Sequence, residues 1–83
     1  MTYLTYITMK FKAKDPSTGL IYSLEAKPEK YNSEQGYRIL YENGSSFLIA
    51  NKYGCWRLMD DHYADVGFLE NIGLAIEHNY SST

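Results

Sequence analysis

The stretch YITMKFKAKDPSTGLIYSLEAK, residues 6–27, decides the fold. From Tyr6 to Lys14 its residues alternate: Ile7, Met9, Phe11 and Ala13 on one side, Tyr6, Thr8, Lys10, Lys12 and Lys14 on the other. Successive side chains leave a strand on opposite faces, so period two with one polar side marks a half-buried strand. DPSTG is a turn by composition. Alternation then resumes, with Leu20, Tyr22, Leu24 and Ala26 set against Ile21, Ser23, Glu25 and Lys27. A loop of Pro16–Gly19 places Asp15 opposite Leu20, Phe11 opposite Leu24 and Lys10 opposite Glu25. Apolar meets apolar and unlike charges pair, so this register predicts an antiparallel hairpin.

PEKYNSEQG, residues 28–36, breaks the alternation and reads as a polar loop. YRILYENGSSFLIAN, residues 37–51, reads as a second hairpin about Asn43-Gly44. A two-residue turn there would put Phe47 and Ile49 on the opposite face from Tyr37, Ile39 and Tyr41. A three-residue loop, Glu42-Asn43-Gly44 with Gly44 left-handed, gathers all five on one face and is the preferred register. Tyr53-Gly54 makes a further turn, and CWRLMD from Cys55 is a fifth strand. Over residues 65–79 the period changes to that of a helix, with Val66, Phe68, Leu69, Ile72, Ala75, Ile76 and Tyr80 on one half and Leu74 as the misfit. Asp65 is the expected N-cap, with Asp61 competing. Gly73 falls on the apolar half, where a missing side chain lets the helix backbone approach the sheet. Five strands in succession and one helix predict an α+β domain: an antiparallel meander of hairpins with a C-terminal helix packed on one face.

Eighty-three residues make one domain, residues 1–80, with a frayed tail over 81–83. A single Cys forms no internal disulfide and suits a reducing compartment. No run reaches the roughly 20 apolar residues of a membrane span, and Thr and Lys interrupt the N-terminus. A cytoplasmic location is therefore the expectation. Charge is uneven: residues 1–59 hold all 8 Lys and Arg against 5 acids, whereas residues 60–83 hold 5 acids and no Lys or Arg.

A surface expectation follows from the apolar inventory. A helix of about four turns is roughly 22 Å long and roofs one side of a sheet. Strands three to five are apolar on both sides, with Leu40, Leu48 and Ala50, and with them Trp56 and Leu58, set opposite the Tyr37/Ile39/Tyr41/Phe47/Ile49 face. A large bare apolar area usually marks a contact site, and Tyr, present nine times, is enriched at such sites. The expected function is a non-enzymatic interaction module of adaptor, inhibitor or immunity type. It would bind a protein partner, or itself as a twofold homodimer, through Tyr37, Ile39, Tyr41, Phe47 and Ile49. The alternative is a small-ligand domain or minor enzyme with a pocket between helix and sheet. There Tyr37, Tyr41, Trp56 and Arg57 line the cavity and Arg57 holds an anion.

The dense stretch YGCWRLMDDHYAD, residues 53–65, invites chemical readings that its spacing does not sustain. Asp60, Asp61, His62 and Asp65 are ligand types, but consecutive acids diverge and match no metal-binding loop, so no metal or other cofactor is expected. Cys55 with His62 lacks the third group that orients a nucleophile and its base. A strand-to-helix junction, with acids favoured at the helix start by its dipole, explains the stretch better. His78 suits the helix's last turns for the same electrostatic reason. Lys10, Lys12 and Lys14, with Tyr6 beside them, form a basic aromatic strand face of the kind that holds single-stranded nucleic acid. The same lysines also discourage edge pairing, and the acidic balance of the chain weighs against a polyanionic partner.

Overall fold

A computed structural model describes residues 8–60 and 64–81, the last three of these by backbone alone. The elements are β1 (Met9–Asp15), β2 (Leu20–Tyr31), β3 (Glu34–Tyr41), β4 (Ser46–Lys52), β5 (Cys55–Leu58) and α1 (Val66–Ser81). The strands form one antiparallel sheet in the order β1-β2-β3-β4-β5. The chain is thus an α+β meander with a C-terminal helix, as the periodicities predict. The sheet is curled, and α1 makes its closest approaches to the two edge strands, β1 and β5, rather than to the middle of the sheet.

The hairpin registers follow from side-chain pairing. Asp15 stands opposite Leu20, Phe11 opposite Leu24 and Lys10 opposite Glu25, as alternation requires. At the second turn Tyr41 N–H donates to the Ser45 carbonyl at 2.9 Å, and Gly44 takes φ +95°. This is the three-residue loop, and it sets Ile39 opposite Phe47 and Tyr37 opposite Ile49. At the β4–β5 turn Tyr53 and Gly54 both take positive φ, +55° and +82°, in the two-residue form whose twist suits a hairpin.

Residues 28–36 correct the expectation of a loop. β2 continues to Tyr31, β3 starts at Glu34, and only Asn32 and Ser33 turn the chain, both at positive φ. Pro28 pairs with Tyr37, and Glu29 with Gly36. Apolar alternation reports burial of one face, and most of this hairpin's residues are at least partly wet, so a true strand carries no such signal.

The core lies between α1 and the face bearing Met9, Ala13, Leu24, Ala26, Ile39, Phe47 and Ile49, which meets Phe68, Leu69, Ile72 and Ile76 of the helix. Aromatic rings cross it in a chain: Phe68 lies 5.5 Å from Tyr22 and 6.5 Å from Phe47, and Tyr41 lies 5.4 Å from Tyr22 and 5.8 Å from Phe47. Asp65 is the N-cap: its Oδ2 accepts from Gly67 N–H at 2.9 Å, and its carbonyl accepts from Leu69 N–H. Asp61 lies outside the described residues, as does the side chain of Tyr80. A Cβ on Gly73 would overlap the Trp56 indole, so glycine there admits the ring against the helix backbone. No helix among the described residues is long and apolar enough to cross a membrane.

Candidate functional site

The expected contact face proves to be the core. Ile39, Phe47 and Ile49 are 0% exposed beneath α1, and Tyr37 and Tyr41 are half-buried beside them. These residues gather on one face as predicted, but the helix takes that face, and only Tyr37 and Tyr41 keep partial exposure. Burial also pushes the Tyr41 phenol above its ordinary value.

Nor is the opposite face bare. Leu48 is 1% exposed and Ala50 is also buried. Trp56 and Leu58 belong to the helix side, because Trp56 pairs with Asn51 and Leu58 with Ile49. Arg38 stands opposite Leu48 in the register, and its guanidinium grips Glu29 in two hydrogen bonds of 2.7 and 3.2 Å and reaches Asp60 at 3.6 Å. Asp60 Oδ2 in turn accepts Leu48 N–H at 3.1 Å. This hydrogen-bonded fork holds the Glu29 carboxyl below its ordinary value and raises Arg38. A lowered carboxylate contributes stability at neutral pH and loses it as pH falls through that value. Exposure of the pair keeps the contribution small.

Strand parity sorts the charges by face. Every Lys and Arg except Lys30 projects from the side of the sheet turned away from α1. The helix carries Glu70 and Glu77 on its exposed side and no Lys or Arg. Lys10, Lys12 and Lys14 do share the outer face, while Tyr6 lies outside the described residues. Lys10 is tied to Glu25 at 3.8 Å. The open groove of about 740 Å³ above Lys10 and Lys12 is lined also by Glu25 and Glu42, which set negative charge where a phosphate backbone would run. Arg57 is exposed on this outer face, pairing with Ala50, whereas Trp56 points to the helix. The two side chains therefore leave β5 on opposite faces, and the recess that Trp56 lines among the described residues does not include Arg57.

The junction stretch resolves the same way. Asp60 is engaged with Arg38 and Leu48, Asp65 caps the helix, and Asp61 and His62 lie outside the described residues. Among the described residues no group of three His, Cys, Asp or Glu is placed to hold a metal ion.

A further concave feature lies beside exposed apolar side chains. A recess of about 350 Å³ runs between β5 and α1, lined by Gly54, Cys55, Trp56, Val66, Glu70, Leu74 and Glu77. Val66 and Leu74 are 69% and 62% exposed. The half-buried indole forms part of its floor, 6.1 Å from the Tyr37 ring, and its Nε1 donates to Glu77 Oε2 at 3.1 Å. Tyr53, 98% exposed in a left-handed conformation rare for a bulky residue, stands at the turn next to Gly54. Leu74 was legible as the misfit of the helical wheel. Val66, expected on the buried half, was not.

The chain matches no protein-family model, no curated protein and no solved structure.

Proposed function

We propose that this chain is a small non-enzymatic interaction module, of adaptor, inhibitor or immunity type, that binds a protein partner through the recess between β5 and α1. One observation carries the reading. Val66 and Leu74 stand on a helix that already supplies the core with Phe68, Leu69, Ile72 and Ile76, and they face solvent beside Trp56. Apolar side chains clustered around an aromatic floor are the usual centre of a protein contact, and Trp and Tyr are the residues that most often dominate its energetics. The same recess supports a second reading as a small-ligand site, since its volume lies near the lower end of such pockets, roughly 300–1,000 Å³.

A photo-crosslinking residue placed at position 74, and as a control at Ser23 on the outer sheet face, tests the reading in cells. A discrete adduct from position 74 alone, competed by the unmodified chain and not by Leu74→Glu, is the expected result. Equal adducts from both positions, or none from either, overturn it. Mass in solution against concentration distinguishes a second copy as the partner, and thermal shift against a metabolite panel distinguishes a small ligand, which at 100 times its Kd adds about 2.7 kcal/mol.

A further inference from the structure

We infer that the recess is filled by an extended segment of a partner protein, adding to the outer edge of β5 as a sixth strand and carrying the pattern apolar-x-basic-x-apolar. This rests on the reading of the recess as a protein contact and goes further in naming the chemistry of the occupant.

The phase of the β4–β5 ladder shows which backbone groups are available. Met59 N–H donates to the Leu48 carbonyl at 2.8 Å. In an antiparallel pair, hydrogen-bonded positions alternate with non-bonded ones. Stepping back by twos from Met59, Arg57 and Cys55 exchange bonds with β4, so the N–H and C=O of Trp56 and Leu58 point to the outer edge. No hydrogen bond joins these groups to another described residue. An added strand is the standard way such groups are satisfied, with main-chain bonds giving affinity and alternate side chains giving specificity.

The helix supplies the specificity. It runs back along β5: Gly67 lies against Pro16 at the β1–β2 turn, while Gly73 and Glu77 lie against Trp56 near the start of β5. Val66, Glu70 and Leu74 follow one another at intervals of four residues, on one stripe of the helix, all lining the recess. Four helical residues rise roughly 6 Å. Two residues of a strand span roughly 6.8 Å. Same-face side chains of an added strand therefore meet Val66, Glu70 and Leu74 in turn. Glu70 has no ion pair among the described residues, and residues 60–83 contain no Lys or Arg to neutralise it. A cation belongs at the middle position, between two apolar side chains. A second copy of the chain fits less well, because a twofold axis at β5 would bring Glu70 and Glu77 of both copies toward each other.

The protein holds its own reporters, since its only Cys and its only Trp both line the recess. Three seven-residue peptides serve as probes: TVTKTVT, its charge-inverted form TVTETVT, and TVTKTVT with alternate amides N-methylated to block pairing. TVTKTVT should slow alkylation of Cys55 and shift Trp56 emission. TVTETVT should bind about tenfold more weakly, with that order reversed in Glu70→Lys. The N-methylated peptide should lose binding while keeping every side chain. Equal binding by the N-methylated form refutes strand addition, and equal binding by the two charge forms refutes the role of Glu70. If all three fail while the position-74 adduct persists, the occupant is of another kind and the contact reading stands. If the adduct is absent as well, both fall.

Discussion

The helix meets the sheet along two seams, and they are built differently. At β1 the closure is tight: Asn71 Nδ2 donates to the Lys14 carbonyl at 2.8 Å, and a Cβ on Gly67 would stand 3.0 Å from the Pro16 ring of the β1–β2 turn. β1 also presents Lys10, Lys12 and Lys14, charges that natural sheets use to discourage further pairing. At β5 the indole of Trp56 wedges against Gly73 and leaves a recess beside it, flanked by exposed Val66 and Leu74. β5 has four residues and only one cation, Arg57. One edge is tied to the helix and guarded by lysines; at the other an indole stands against the helix beside an open recess. A sheet needs each edge covered or blunted; the shortness of β5 blunts its edge, but among the described residues nothing covers it, and that opening is the one the proposed partner strand would fill.

Substitutions can break this contrast or sharpen it. The largest effect should come from Phe68, whose ring both halves of the curled sheet lean on through Tyr22 and Phe47. Phe68→Ala should cost about 3–5 kcal/mol by chemical denaturation, enough to unfold much of a small domain. Next is Gly73→Ala. Its methyl would collide with the indole, an overpacking worth about 1–3 kcal/mol that outweighs alanine's helical advantage of about 1 kcal/mol. In a Trp56→Leu background the same change should turn stabilising, and a cycle showing no coupling would mean that the indole does not set this seam. Asn71→Ala removes one hydrogen bond at the sealed seam and should cost about 1 kcal/mol, with faster amide exchange along β1. The smallest change in stability belongs to Leu74→Glu, within about 0.5 kcal/mol because the side chain is already wet. That variant should melt like the parent and fail to compete the position-74 adduct, separating contact from fold.

How much of this was legible in the residues differs by element. Pairing of Phe11 with Leu24 and of Ile39 with Phe47 follows from alternation and turn chemistry, because burial of one face forces the register. The hairpin at Asn32-Ser33 was hidden: the strand ends beside it, residues 28–31 and 34–36, have no single apolar face, and a turn of two non-glycine residues at positive φ carries a weak compositional mark. Trp56 was set on the wrong face, since a four-residue strand holds too few residues to fix a parity by pattern alone. Gly73 was read for its true reason, close approach, although its partner proved to be an indole rather than a backbone.

Local chemistry in the chain determined which segments pair, where Asp65 starts the helix, and that charge divides between the first 59 residues and the rest. Short-range rules suffice for these, because each depends on neighbours a few bonds or one turn away. Which face the helix would occupy, and so whether Tyr37, Ile39, Tyr41, Phe47 and Ile49 end as surface or core, was decided only when the sheet curled. Two apolar faces compete for one helix, and the winner depends on the three-dimensional curvature that brings β1 and β5 to its flanks. The same curvature leaves the recess at β5 open, whereas strand parity alone sets nearly all the cations on the face turned away from the helix.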